Sequence, residues 1–330
     1  MQADALSDVL RTIRLNGAVF FDVTVRAPWV LAAPSSDKCA PFVMPQAKHV
    51  IEYHVVTKGS CWAGLLDEMP IRLEAGDILI FPQGDAHIFS SEPGLSTEPM
   101  MELYQQPEGT QLPVPIQAGS GDGEEARIVC GFLGFEEALR HPLMDALPRL
   151  LHAPAHARAP DDWLDGFIPQ VVAECENRRP GSESILARMS ELMFVEVVRQ
   201  YVESLPQAER GWLAGLRDRA VGRALNLMHG RPSHCWTLEA MAEEIGLSRS
   251  SLAERFSEFV GCPPMQYLTN WRMQLASGLL SSGNTNIAEI AERVGYESEA
   301  AFSRAFKRSL GLAPATWRKV QAQRMAIAAE

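Results

Sequence analysis

The last third of this chain repeats itself, and few folds accommodate the repeat. Residues 238–268 and 287–318 align at a spacing of roughly 50 residues. Ala242 matches Ala291, Ile245 matches Val294 and Gly246 matches Gly295. After one extra residue in the second copy, Ser248 matches Ser298, Leu252 matches Phe302, Phe256 matches Phe306, Gly261 matches Gly311 and Pro264 matches Pro314. Each copy reads as a helix of about 8 residues, a glycine turn and a helix of about 12, which is a helix-turn-helix. A small residue at Ala242 or Ala291 lets the two helices approach closely, and Gly246 or Gly295 supplies the positive φ of the sharp turn.

Helical periodicity then separates the buried from the exposed face. Leu252, Phe256 and Phe259 form one buried stripe, and Phe302, Phe306 and Leu310 form the other. What remains faces outward: Ser248, Arg249, Ser250, Ala253, Glu254 and Ser257 in the first unit, and Ser298, Glu299, Ala300, Ser303, Arg304 and Lys307 in the second. Ser248 and Ser298 also read as N-caps. The N-terminal part of such a helix reads base edges in a major groove. Arginine bonds guanine bidentately and a carboxylate accepts from cytosine, which suits Arg249, Arg304, Glu254 and Glu299. Arg272, Lys307, Arg308, Arg318 and Lys319 are expected as phosphate anchors. Between the units, residues 265–281 read as one helix about 25 Å long. A rigid connector of that size can set two recognition helices about one DNA turn (~34 Å) apart on one face.

The chain is acidic, with a formal net charge of −11 over 330 residues, but the charge is unevenly distributed. Residues 212–330 carry 14 Lys and Arg against 11 Asp and Glu, a net of +3; residues 1–211 carry 16 against 30, a net of −14. Such asymmetry accompanies nucleic-acid binding. Composition, at 46% hydrophobic and 22% charged, is that of an ordinary globular protein. No apolar run is long enough for a membrane span, no signal peptide is read, and a cytoplasmic location is the expectation. The six scattered cysteines form no CxxC pair and are expected as free thiols.

Upstream, residues 17–135 read as β structure, with strands over 19–25, 49–57, 61–66, 77–81 and 128–133, and with 107–125 as an irregular loop. Helical patterns follow at 141–151, 162–177 and 183–203, the last with Ser182 as N-cap. Its apolar stripe either packs on the barrel or forms a dimer interface. The predicted division is a sensor domain over 1–135, a helical linker over 136–210 and an all-α domain with two helix-turn-helix units over 211–330.

Residues 213–320 resemble the DNA-binding domain of the AraC/XylS family. The resemblance rests on the stretch from Arg223 to His229, on Trp236–Phe256, Gly261–Leu268, Trp271-Arg272 and Ile287–Lys319; Trp317 stands where the family usually has Tyr. It implies a transcription regulator that binds double-stranded DNA, often as a dimer, with a variable sensor domain, and that contacts RNA polymerase if it activates.

Gly76–His87 fits the second cupin motif, G(X)5PXG(X)2H(X)3N, with Ser91 in place of Asn; Glu52 precedes Gly59 by the spacing that ends the first motif. The N-terminal part therefore resembles the cupin sensor of such regulators, which implies a jelly-roll-like β-barrel. The stretch Cys130–Phe135 with His141–His152 also resembles that sensor group. Enzymatic cupins use two His and a Glu of motif 1 with the motif-2 His as metal ligands; here Pro, Gln, Ala and Lys occupy 45–48, and the His-x-His is missing. The remaining candidates for a metal or small-molecule effector are His87, His54, Glu52, His49, Cys61 and Cys130, a mixed set that suits zinc. The competing expectation is a cupin metalloenzyme, a dioxygenase or isomerase, with a helical appendage.

Overall fold

A computed structural model of the chain describes residues 4–13, 15–106, 109–119, 121–135, 142–159, 162–281 and 285–327. Its contacts divide into two units: Leu15–Glu136 with Leu147–Tyr201, and Met1–Arg14 with Glu137–Ala146 and Val202–Glu330. In chain order the helices are α1 (Ala5–Ile13), α2 (Ser36–Val43), α3 (Pro142–Ala146), α4 (Trp163–Asn177), α5 (Ser182–Ser204), α6 (Trp212–Arg217), α7 (Arg219–Gly230), α8 (Leu238–Ile245), α9 (Arg249–Val260), α10 (Pro264–Ser281), α11 (Ile287–Arg293), α12 (Glu299–Leu310) and α13 (Pro314–Ile327). The strands are β1 (Asn16–Arg26), β2 (Val30–Ala33), β3 (His49–Lys58), β4 (Ser60–Leu65), β5 (Ile71–Glu74), β6 (Ile78–Phe81), β7 (His87–Ser90), β8 (Val114–Ala118), β9 (Glu125–Phe135) and β10 (Leu151–Ala153). No helix among the described residues is long and apolar enough to cross a membrane.

The first unit holds two sheets, ordered β10-β6-β3-β9-β1-β8 and β2-β7-β4-β5. All pairings are antiparallel except β1 with β8. Strand β3 is central, and its alternation sorts its residues by face. Val50 and Val56 join the inter-sheet core with Cys61, Leu73, Phe81, Phe89 and Phe132; Glu52 and His54 share that face. Tyr53 leaves by the other face toward α5. Its hydroxyl lies 3.1 Å from the Ala18 carbonyl and 2.5 Å from Ser190 Oγ. Helix α5 approaches so closely that a Cβ on Gly17 would stand 2.4 Å from the Ala187 carbonyl oxygen.

Four expectations change here. Residues 17–135 are not all β: Ser36–Val43 is a helix with Pro41 inside it. The loop expected over 107–125 contains β8, an edge strand whose Pro115 sits opposite Asp22; edge strands tolerate the missing N–H. The helix expected over 141–151 is only α3, and Leu151 instead begins β10, paired with β6; His141 lies outside the described residues. Ser182 does not cap α5: it is the first helical residue, and its hydroxyl donates to Glu174 at 2.5 Å. The long stripe on α5 divides. Leu186, Met193 and Val197 are buried, while Ile185 and Leu192 remain 46% and 56% exposed.

In the helical unit, α8/α9 and α11/α12 are the two helix-turn-helix pairs. Gly246 and Gly295 both adopt φ of 82°, as their turns require. Ser248 accepts from Ser251 N–H at 3.1 Å and Ser298 from Ala301 N–H at 3.2 Å, so both cap their helices. Pro264 and Pro314 open α10 and α13, positions where no helical N–H bond is lost. Leu252, Phe256, Phe302 and Phe306 are fully buried and Phe259 nearly so; Leu310 is only half-buried, and Ala305 takes the inner position beside Phe306. Asp218 caps α7 and bonds Arg255, tying α7 to α9.

Candidate DNA interface and barrel cluster

Both recognition helices present the expected outward faces. Arg249, Ser250 and Glu254 on α9 are exposed, with Ala253 and Ser257 partly so; on α12, Glu299, Ala300, Arg304, Lys307 and Arg308 are exposed and Ser303 partly so. Arg249 pairs with Glu239 at 2.7 Å on the exposed surface, an interaction worth at most about 1 kcal/mol. Arg304 makes no ion pair among the described residues. Arg272 is engaged within the chain. Its Nε donates to the Pro232 carbonyl at 2.7 Å and its Nη2 to the His234 carbonyl at 2.8 Å, so it ties α10 to the segment before α8. Arg318 likewise donates to the Thr285 carbonyl. Lys307 and Arg308 are exposed and make no ion pair among the described residues. Residues 283–284, read as a break between the units, lie outside the described residues.

Replacing Arg304 with alanine is expected to weaken a selected duplex by ~1–3 kcal/mol, roughly 5- to 150-fold, while random duplex changes little. Fluorescence anisotropy on both duplexes checks this; unchanged affinity for the selected site removes Arg304 from the base-reading set.

Of the six candidates in the barrel, the structure brings three together. One ligand atom from each of Glu52, His54 and His87 lies within 4.8 Å of the others, and all three residues are buried. Both histidine Nε2 atoms face each other at 2.8 Å, and Glu52 Oε2 is 3.9 Å from His87 Nε2. The Asp85 carbonyl accepts from His87 Nδ1 at 2.8 Å, so the Nε2 of neutral His87 carries its lone pair into the cluster. This is the orientation in which metal-binding histidines are held. His54 Nδ1 is buried without a partner. Phe81 stacks on His87 with ring centroids 3.7 Å apart. Burial pushes His87 down to about 4 and drives His54 well below its usual range, with His87 adding to the latter; both rings are neutral at pH 7. Burial pushes the Glu52 carboxyl up to about 8.

The other three candidates stand apart from this cluster. His49 Nε2 bonds the Pro82 carbonyl at 2.7 Å, and its ring lies against Phe135. Cys61 and Cys130 line the same interior, but burial raises the Cys61 thiol to about 12 and Cys130 well above the ordinary range, so neither is a ready thiolate. The sequence reading missed Cys39, whose thiol lies 3.7 Å from Glu52 Oε1, because it comes from the unexpected helix α2.

The donor set fits a divalent transition metal. Two imidazoles and a carboxylate are ligands of zinc and of non-haem ferrous iron.

Residues 4–203 match the Cupin family and residues 241–320 the Helix-turn-helix domain family. An AraC-like transcription regulator of Streptomyces lividans is 32% identical over 96% of this chain and 98% of its own length. The HTH-type transcriptional regulator AlkR of Acinetobacter baylyi is 28% identical over 96% and 99%. The DNA-binding domain of AdpA, solved in complex with a target DNA, is 27% identical over 32% of this chain and 96% of its own, with a TM-score of 0.31. The chain belongs to the AraC-type transcription regulators with an N-terminal cupin domain. It binds DNA through its helix-turn-helix region, and the expectation of a cupin metalloenzyme gives way, since its full-length relatives are regulators.

Proposed function

We propose that this regulator is controlled by a divalent transition metal, zinc being the first to try, held by Glu52, His54 and His87. The observation that supports this most is the buried cluster itself: three ligand atoms within 4.8 Å, one lone pair aimed inward by Asp85. The rings of Phe81, His87, Phe89 and His54 pack against one another, which favours an ion over a larger organic effector. Bound zinc supplies a positive charge where Glu52 otherwise keeps a proton. To test this, zinc is titrated into the metal-free full-length protein, and bound metal and affinity for a selected duplex are both measured. One ion per chain and a change in DNA affinity of at least about fivefold are expected. A chain that retains no zinc, or whose affinity is indifferent to it, is not metal-controlled.

The exposed Ile185 and Leu192 on α5 support pairing with a second copy through residues 183–203. Leu192→Glu is then expected to shift the chain from dimer to monomer in sedimentation; a monomeric wild type ends this reading. A contact with RNA polymerase follows if the output is activation.

A further inference from the structure

Glu52 and His54 bracket Tyr53 on one strand, and the three side chains serve opposite faces of the sheet. We infer that Tyr53, through the hydroxyl of Ser190, couples occupancy of the Glu52–His54–His87 site to the position of helix α5. The inference rests on the metal reading above and names how that site is read out.

Ligand atoms sharing one zinc at bonds of about 2.0–2.2 Å would stand roughly 3.3–3.6 Å apart. The two Nε2 atoms now stand 2.8 Å apart, and Glu52 Oε2 is 3.9 Å from His87 Nε2. For Glu52, His54 and His87 to hold one ion together, the two nitrogens would have to part and the carboxylate to close on them. The side chains have little room to adjust alone. His54 is enclosed by Phe81, His87 and Phe89 at centroid distances of 5.9, 4.8 and 4.6 Å, and Glu52 is 1% exposed. In an interior packed this densely, a small displacement is passed to the neighbours. The shared neighbour is the backbone of β3 at Tyr53.

On the outer face that residue meets α5 directly. The Tyr53 and Ser190 hydroxyls meet at 2.5 Å, either able to donate, with the Ala18 carbonyl 3.1 Å from Tyr53 and the Leu186 carbonyl 2.8 Å from Ser190 as the further acceptors. Two glycines clear the approach. A Cβ on Gly131 would stand 2.3 Å from the Tyr53 hydroxyl, and one on Gly17 would strike α5. Helix α5 is unbroken from Ser182 to Ser204, and its last turn, from Val202, belongs to the helical unit. There Arg217 of α6 donates to the carbonyls of Val202 and Leu205. A shift imposed at Ser190 thus acts on a helix whose chain continues into the residues of the unit that carries both helix-turn-helix pairs.

The test compares wild type, Tyr53→Phe, Ser190→Ala and the double variant as full-length proteins. Zinc affinity is measured by competition with a chromophoric chelator. DNA affinity is measured with and without zinc on a duplex selected from a random pool by the zinc-free wild type. Each single variant is expected to keep one zinc with affinity within about threefold of wild type, yet to lose the zinc-dependent change in DNA affinity to within about twofold of none. The double variant is expected to lose no more than either single one, because the two residues form one link. A merely structural role would lower stability in both metal states and leave the ratio intact. Ser190→Ala, which keeps the Tyr53 ring, covers the case in which Tyr53→Phe folds poorly. Retention of the wild-type ratio by the variants overturns the relay, as does a wild type that binds zinc without a DNA response. A wild type that binds no zinc removes the metal reading and the relay with it.

Discussion

Replacing Phe302 with alanine is expected to destabilise the helical unit by ~3–5 kcal/mol, as complete truncation of a buried phenylalanine does. Phe302 is fully buried in a cluster with Met273, Ile290, Val294, Phe306 and Trp317, so its ring joins α10, α11, α12 and α13 at one point. Tyr296 and Phe306 meet it edge-on or tilted at 5.7 and 5.5 Å, contacts that alanine cannot replace. A loss of that size lowers the melting temperature of a unit this large by on the order of 10 °C. Binding to a selected duplex should fall further than with Arg304→Ala, because Glu299, Ser303 and Arg304 all take their positions from this helix. Thermal denaturation of the full chain checks the first effect, and an unchanged transition would mean that α12 is not seated as described. Ser303→Ala, one residue away on the open face, should shift stability by less than about 0.5 kcal/mol.

His87→Ala is expected to lower zinc affinity by at least ~100-fold. Loss of a partner that only orients a ligand already costs about 10- to 100-fold, and here a ligand itself is removed. The substitution also takes away the partner of His54 Nε2 and of the Asp85 carbonyl, so the metal-free protein should lose ~1–3 kcal/mol for polar groups left unsatisfied. Chelator competition and thermal melts report the two effects separately. Cys61→Ala and Cys130→Ala should leave zinc affinity within about threefold of wild type, since neither thiol belongs to the cluster. Loss of binding in a cysteine variant, with His87→Ala unaffected, would move the site from the triad to the thiols.

The helix-turn-helix region was legible in detail because its determinants are local. A glycine at each turn, a serine three residues before each capped N–H and aromatic residues four apart are visible without knowing what they pack against. The structural tie made by Arg272 is not legible for the opposite reason: its carbonyl partners lie 40 and 38 residues away in the chain, which helical periodicity does not reveal. The barrel was half legible. Strands β3 and β6 alternate or run apolar and announce themselves. Helix α2 is eight residues long with a proline inside, and β8 is a five-residue edge strand around Pro115; both lack a periodic signal. Among six candidate ligands, sequence motifs supplied Glu52 and His87, and strand alternation placed His54 beside Glu52. Excluding His49, Cys61 and Cys130 required the fold, because burial and distance across strands decide which donors meet. Tyr53 carries no motif, and its importance follows only from the helix packed over it.

We propose that one chain reads two successive major-groove segments with α9 and α12, joined by the 18-residue helix α10. A methylation-protection footprint of the full-length protein on a selected duplex, at about 150 mM salt where non-specific attraction is screened, tests it most directly. Two protected guanine clusters on one face of the duplex, about one helical turn apart, are predicted for each bound chain, with Arg304→Ala erasing protection in only one of them. A single protected segment, or uniform protection indistinguishable from that of random duplex, would contradict it.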